Sequence, residues 1–333
     1  MSPHRSGPTT DTAILAALRR EPGGFVSGTA LAAALGVTRA AISARVRELR
    51  ARGYDISASP HFGYRLEAAP DRLIRDDLLA QLGKVSVVGR DIQVFQETAS
   101  TNDIVEKLAR DGVREGMAVF AEAQTRGRGR LGRKWVSPAG KGLWFSVLLR
   151  PRLLPGEATR LMIMAANALV RAVEQIGVAN VEIKWPNDLL VGGRKAAGIL
   201  TEMHAELDRI QHVILGVGVD VNLDRADFPA RLRSSATSLK LATGRTVDRA
   251  ALAVRLLREL DYEYRRLREG QFAAMAAEWA ERCGTLGRNV RLRVGRREVR
   301  GRAEGLDPSG ALLVRTEHGR LEAIIGGEVT LAH

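Results

Sequence analysis

The 333-residue chain contains one cysteine, Cys283. A lone cysteine excludes an internal disulfide framework and a zinc site built on cysteines. Lying in a helical pattern with no histidine close in sequence, it reads as an inert thiol. Membrane-spanning runs are also missing. The longest apolar stretch, around Leu161 to Val170, is about half of the roughly 20 residues a transmembrane helix needs, and the opening MSPHRSGPTTD has no apolar signal core. These absences predict a cytoplasmic protein. Internal repeats and low-complexity tracts are absent, which excludes a solenoid. Lysine is scarce: of 51 basic residues only seven are lysine, at positions 84, 107, 134, 141, 184, 195 and 240. Arginine is therefore the default cation, and the net charge of +13 says little by itself about nucleic acid. A lysine that persists against this bias marks a place for a compact point charge instead of a planar fork, which singles out Lys184 and Lys195.

What is present points to several domains, since 45% hydrophobic content over this length can bury a substantial core. The first 68 residues form a unit. A short helix near Thr12 to Arg20 precedes SGTALAAALGVTRAAISARVRELRARGYDI, which gives a helix ending at Leu35, a Gly36-Val37 turn and a second helix from Thr38 to Arg52. Ala32 allows close helix approach, Gly36 can take positive φ, Ile42 fills the shared core and Thr38 caps the second helix. YDISASPHFGYRLEA adds two short strands around a Pro60 to Gly63 turn, a wing. Such a second helix enters the major groove, with Thr38, Arg39, Ser43, Arg45 and Arg47 facing DNA; otherwise these arginines form a solvated face.

Residues 69–84 read as a linker helix, DRLIRDDLLAQL, leading to an α/β region over 85–284. Strands are expected at 92–96, 117–123, 143–150, 181–184, 196–203 and 210–219, and helices at 101–111, 157–176, 248–268 and 271–282. Short turns such as Gly192-Gly193 make the later sheet largely antiparallel, against a doubly wound dinucleotide fold. From 285 to 333 about five short strands between glycine turns suggest a small barrel or sandwich.

Three clusters carry chemistry. TRGRGRLGRKW, residues 125–135, holds five basic side chains and three glycines with no acid. Gly127, Gly129 and Gly132 spell the dinucleotide-cradle pattern, yet no helix follows and no acid lies near 147–152. Kinase signatures are also lacking. What remains is a mobile loop whose glycines let backbone approach a ligand, whose Arg128, Arg130 and Arg133 reach anionic oxygens, and whose Trp135 can stack on a ring. In EIKWPNDLLVGGRKAAGIL, Pro186 forces Trp185 into an extended conformation, so that Lys184, Asn187 and Asp188 project from a rigid corner near Lys195 and Gly198. Lysine with carboxylate suits a phosphate and its magnesium ion; a plain lysine-aspartate ion pair is the other explanation. LGVGVDVNL alternates Gly216 and Gly218 on a strand, leaving one face bare for a flat ligand, with Asn222 at its end.

STN at 100–102, GRGRLGRKW at 127–135, KWPND at 184–188, RKAAGIL at 194–200 and GVGVDVN at 216–222 resemble, in order, the motif set of biotin protein ligases. With the terminal modules, nearly the whole chain is similar to the bifunctional class, which acts both as biotin–[acetyl-CoA-carboxylase] ligase and as biotin operon repressor. The resemblance implies an α+β multidomain protein: a winged helix-turn-helix, a mixed-sheet ligase domain of the biotin/lipoate type and a C-terminal SH3-like β-barrel. It implies synthesis of biotinyl-5'-AMP from biotin and ATP with Mg2+. Biotin then passes to a lysine of the biotin carboxyl carrier protein of acetyl-CoA carboxylase. The adenylate is also the corepressor for a homodimer on operator DNA, and no membrane partner is implied.

The same resemblance gives roles to residues. Ser100, Thr101 and Gln124 would line the biotin head-group pocket, with Gly127 and Arg128 closing over it, and Asn102 would also contact a bound cofactor. Arg130, Arg133 and Lys195 would hold carboxylate and phosphate, Lys184 the ATP phosphates, and Asp188 a magnesium ion or the incoming lysine. Trp135 and Asn222 would contact adenine, while Asn187, Gly198, Leu200, Gly216 and Gly218 complete the pocket. Leu131 and Arg126 depart from the usual pattern, which bears on loop closure. Residues 224–238 are expected to form a second mobile loop, over adenine, or else a plain surface connection. Three other readings stay open: a lipoate ligase, a sensing repressor without turnover, and a ligase whose DNA-binding module regulates nothing.

Overall fold

The computed structural model describes residues 9–331, so the opening octapeptide and the expectation of no signal core there lie outside the described residues. Helices α1 (Thr10–Arg20), α2 (Gly28–Leu35) and α3 (Arg39–Ala51) and the hairpin β1 (Asp55–Ser59) with β2 (Gly63–Ala68) make the N-terminal unit. Each helix begins on a hydroxyl cap. Thr9, Ser27 and Thr38 accept from the backbone N–H of Thr12, Ala30 and Ala41, and Gly36 closes α2 at φ 64°. Ile14, Leu15, Leu18, Leu31, Ile42, Val46 and Leu49 form its core, each under 5% exposed. At roughly 1.5–3 kcal/mol per buried aliphatic side chain, that small core is what holds the three helices.

One expected DNA contact, half-buried Arg45, is tied to this interior. Arg45 grips the buried Asp11 through Nε and Nη2 at 2.7 and 2.6 Å and Glu48 through Nη1 at 2.8 Å. Asp11, only 1% exposed, needs that partner, because an unpaired buried carboxylate is costly, so Arg45 fastens α3 to α1. Arg39 and Arg47 are exposed, Ser43 is half-buried, and the Thr38 hydroxyl is the α3 cap.

The connecting helix α4 (Arg75–Leu82) starts later than expected, because the preceding backbone is drawn elsewhere: Leu73 N–H donates to Glu122 at 2.6 Å. Asp77 on α4 pairs with Arg19 on α1 at 2.7 Å.

The central region holds a seven-stranded sheet of β3 (Asp91–Thr98), β4 (Met117–Gln124), β5 (Leu143–Leu149), β6 (Val181–Lys184), β7 (Asp188–Val191), β8 (Arg194–Ala205) and β9 (Ile210–Val219), in the order β3-β4-β5-β9-β8-β7-β6. Only β3 and β4 are parallel, joined across α5 (Thr101–Arg110); the remaining pairs are antiparallel. Helices α6 (Thr159–Glu174), α7 (Leu239–Thr243), α8 (Arg249–Arg268) and α9 (Phe272–Arg282) complete the domain. Alternation divides the sheet. Phe120, Phe145, Val147, Leu215 and Val217 join the large core with α6 and α8, whereas Val119, Leu148 and Ile214 pack on α5. The α5 face is the one that carries the site.

Strands β10 (Asn289–Val294), β11 (Arg297–Leu306), β12 (Leu312–Thr316), β13 (Leu321–Ile324) and β14 (Glu328–Leu331) form an antiparallel sheet in the order β13-β12-β11-β10-β14. The expected closed barrel is not found among the described residues. Three residues joining β13 to the opposite edge span at most roughly 14 Å, so the sheet is strongly curled. The two four-residue edges nevertheless share no hydrogen-bond ladder. This domain is fastened to α6: Thr159 Oγ1 donates to Ser309 O at 2.6 Å and Arg160 Nη2 to Pro308 O at 2.8 Å.

Candidate active site

Strand register sets the floor of a cleft of about 500 Å3 on the α5 face. One row across the sheet runs Trp144, Gly218, Gly198, Asp188 and Lys184, and the next places Ser146 beside Gly216 and Leu200. The glycines were expected to leave room for a ligand against backbone. The protein fills that strip itself, because a Cβ-free floor is the nearest surface its own side chains can reach. A Cβ at Gly218 would stand 2.8 Å from Trp135 and one at Gly216 would stand 2.5 Å from Asn102 Oδ1. Trp135 lies on Gly218 and Gly198 with its edge toward Trp144, and the Lys195 ammonium sits 5.1 Å from its ring centre.

At one end stands a neutral hydrogen-bond network. Thr101 N donates to Gln124 Oε1 at 2.9 Å, Gln124 Nε2 to Ser137 Oγ at 3.0 Å, and Ser146 Oγ to Asn102 Oδ1 at 2.5 Å; the Thr101 and Ser146 hydroxyls are 2.6 Å apart. Ser100, at the start of α5, makes no capping bond through its side chain and lines the cleft. Thr101, Asn102 and Ser146 are each under 5% exposed.

The arginine-glycine loop is a compact hairpin. Gly127 O accepts from Trp135 N, Arg133 O accepts from Gly129 N, and Arg128 pairs with Lys134 across a β-bridge. Arg128 is neutralised, with Nη1 2.6 Å from Asp103 and Nη2 3.2 Å from Glu202, so it anchors the loop. Arg130 points inward. Its Nη1 donates to Asn187 Oδ1 at 3.2 Å, and Asn187 is oriented by its own Nδ2 bond to Ile199 O at 2.8 Å. Burial pushes the Arg130 guanidinium down from its ordinary range and nearby Asp188 opposes the change. Leu131 at the tip is exposed and left-handed, φ 54°. Arg133 and Lys134 lie exposed at the rim.

The corner after β6 contains a cis Trp185-Pro186 bond. It places Lys184, Asn187 and Asp188 along the cleft. Lys195 and Asp188 form an ion pair at 2.6 Å. The Lys184 side chain makes no hydrogen bond or ion pair among the described residues, its backbone being paired with β7. No cluster of three metal-binding side chains stands among the described residues, and Asp188 and Asp220 are the only carboxylates lining the cleft. That set suits magnesium carried in on phosphates, not an all-protein cage.

The structure does not bring Asn222 into the cleft. Its Nδ2 donates to Val247 O and its Oδ1 accepts from Val247 N, both at 2.9 Å, so it fastens the end of β9 to the start of α8. The polar side chain facing the cleft from that motif is Asp220, which is 6% exposed, and burial pushes its carboxyl well up despite Lys195 nearby. The 224–238 segment forms the far wall through Phe228, Pro229, Leu232, Ser235 and Ala236. It is pinned by the pairs Lys141–Asp227 at 2.5 Å and Lys240–Asp224 at 2.7 Å. Gly327, Val329 and Thr330 add an edge from the C-terminal domain.

Sequence reasoning missed Ser146, Glu202 and Asp220. The serine had a signal, a lone hydroxyl inside the apolar strand LWFSVLL, and so did Asp220 between two valines. Glu202 had none, since its importance comes from partners on α5 and on the loop.

Fold and site together define a class: a ligase built on the biotin/lipoate type of mixed sheet, behind a winged helix-turn-helix. The comparisons agree. Residues 94–220 match the biotin/lipoate A/B protein ligase family, 285–331 the biotin protein ligase C-terminal domain and 11–65 an HTH domain. The chain is 36% identical to the bifunctional ligase/repressor BirA of Bacillus subtilis over 92% of its length and 94% of that protein. It is 33% identical to the same-named protein of Escherichia coli over 93% and 94%. A solved biotin protein ligase from Aquifex aeolicus, in complex with biotin and ATP, superposes with a TM-score of 0.62 at 31% identity, covering 72% of this chain and 98% of that one. The chain belongs to the biotin protein ligase family, in its bifunctional ligase/repressor class. No helix among the described residues is long and apolar enough to cross a membrane.

Proposed function

We propose that the protein activates biotin with Mg-ATP and transfers it to a lysine of a carrier protein, and that the activated form turns it into a repressor. One observation carries this reading. A neutral, buried hydrogen-bonding end adjoins an end bearing Lys184, Lys195 and Arg130 in a single cleft, as joining a neutral head group through its carboxylate to a nucleotide phosphate requires. The biotin carboxylate attacks the α-phosphorus of ATP and pyrophosphate leaves, giving biotinyl-5'-AMP. The carrier lysine then attacks the acyl carbon and AMP leaves.

Lys195 and Arg130 would neutralise the carboxylate and phosphate as they approach, and Lys184 the leaving phosphates, so positioning and charge dominate. Arg133 at the rim and the outer face of Trp135 would meet phosphate and adenine. The loop hairpin shields the mixed anhydride from water. Magnesium enters with ATP as substrate, with Asp188 at hand once Lys195 turns to the anions. The carrier is the biotin carboxyl carrier protein of acetyl-CoA carboxylase, and the setting is cytoplasmic.

Incubation of the purified chain with carrier domain, ATP and biotin is expected to add one biotin mass to one lysine, with AMP released. Failure to form either the adenylate or the biotinylated carrier would overturn the reading. For repression, Arg39 and Arg47 are exposed cations of α3, and the adenylate-loaded homodimer would bind operator DNA. Footprinting is expected to need biotin and ATP together; protection indifferent to both would leave a ligase whose DNA module does not regulate.

A further inference from the structure

Glu202 lies on β8, two residues beyond Leu200 on the cleft face. It touches two parts of the site at once: Asn102 Nδ2 donates to its Oε2 at 2.9 Å, and Arg128 Nη2 lies 3.2 and 3.3 Å from its two oxygens. We propose that Glu202 is a positioning residue that sets the donor-acceptor direction of the whole head-group pocket, and thereby its selectivity for a ligand that presents N–H groups.

The protons along a chain of short contacts are placed one after another. A carboxylate paired with a guanidinium offers only lone pairs. Asn102 must therefore turn its Nδ2 to Glu202, which leaves Oδ1 toward Ser146. Ser146 then gives its single proton to Oδ1, at 2.5 Å. Its contact with Thr101 Oγ1, at 2.6 Å, must in turn be donated by Thr101. Thr101, 3% exposed and lining the cleft, is left with lone pairs only toward a ligand. A ligand group that meets it must donate, as a cyclic urea N–H does and a dithiolane ring cannot. Gln124 has its orientation fixed by Thr101 N–H on its Oε1 at 2.9 Å, and the same oxygen stands 3.2 Å from Thr101 Oγ1, a second acceptor for the Thr101 proton. A neutral amide at 202 removes the constraint. It can donate to Asn102 Oδ1, turn the Asn102 amide over and reverse the Ser146 hydroxyl toward Thr101, which frees the Thr101 proton for Gln124 Oε1 at 3.2 Å or for a ligand, so that lone pairs are no longer all that Thr101 can offer.

The inference rests on the biotin reading, and the experiment separates the two. Biotin and lipoate binding are measured by calorimetry for the wild-type chain, Glu202→Gln, Glu202→Ala and Asp103→Asn, with melting temperatures to confirm folding. Asp103→Asn weakens the Arg128 anchor without touching Asn102. Wild-type protein that fails to bind biotin would sink the functional reading itself. Given wild-type binding, Glu202→Gln is expected to lose roughly 10- to 100-fold in biotin affinity. The biotin-over-lipoate ratio should narrow, while Asp103→Asn keeps the wild-type ratio. Equal ratios in wild type and Glu202→Gln, or an equal change in Asp103→Asn, would overturn the proposal. Glu202→Ala, which also frees Asn102, must show the same narrowed ratio if the glutamine variant does not fold. The site of 202 is partly exposed, with 38% of the side chain accessible, so truncation there leaves no cavity in the core.

Discussion

The two ends of the cleft are finished to different degrees. At the head-group end Thr101, Asn102, Gln124 and Ser146 are hydrogen-bonded to one another and to Ser137 and Glu202, so that their recognition geometry is fixed by the protein itself. At the other end Lys195 shares one carboxylate, the Lys184 side chain has no partner among the described residues, and Asp220 is buried without one. Neutral groups can complete each other's hydrogen bonds, but cations aimed at substrate charge cannot be fully compensated without ceasing to act on it. The contrast teaches where selectivity and catalysis separate along one sheet: selectivity is built in advance, and catalysis is left as unbalanced charge.

The strongest break of that contrast removes the charge. Lys195→Ala is expected to lower adenylation by roughly 10²- to 10³-fold, with biotin binding measured by calorimetry much less affected. Lys195→Arg should also be slow, since a planar fork does not reproduce the ammonium between Asp188 and Trp135. A wild-type rate for the arginine variant would show that lysine at 195 is a chance of composition. Next, Arg130→Ala should release the adenylate about 10- to 100-fold faster in a filter-retention assay; unchanged retention would remove Arg130 from the loop's role. Gly218→Ala pushes a methyl into Trp135 and is expected to cost about 1–3 kcal/mol in denaturant unfolding, while head-group selectivity persists. Asn222→Ala should cost about 1–2 kcal/mol through the lost Val247 bonds, with little change in the KM for ATP. A large KM effect would restore a nucleotide contact for Asn222.

The smallest effect concerns pH. Burial raises the Asp220 carboxyl in the folded state, so the folded protein holds a proton that the unfolded chain releases, and this group's contribution to stability falls as pH rises above the ordinary aspartate range. Asp220→Asn should flatten the decline of melting temperature as pH rises from the ordinary aspartate range; an unchanged slope would mean that Asp220 finds compensation not seen in its surroundings.

Much of this was legible in the sequence because the signals were local. Gly36 and Thr38 specify a turn and a cap by their own chemistry, and both act so. The order of strands and helices followed from periodicity except for the short β7 and α7, which it did not predict, and the site motifs fall in one cleft because register aligns residues 184, 188, 198 and 218 in a row. Legibility failed where a side chain's role depends on a distant partner. Arg45 looked like a groove contact until Asp11 claimed it. Asn222 looked like a ligand contact until Val247 claimed both its ends, and Glu202 carried no pattern at all. The barrel expectation failed for a related reason: glycine turns count strands but do not say whether the last edge meets the first.

The most direct test of the central claim is pyrophosphate exchange into Mg-ATP, run with biotin and with lipoate in parallel. The account predicts exchange that requires biotin and is not supported by lipoate, because charge at one end and donor-seeking lone pairs at the other must act on the same molecule. Exchange supported by lipoate alone would move the chain to the lipoate ligases within its fold, and no exchange with either acid would contradict the assignment of Lys195 and Arg130 to adenylation.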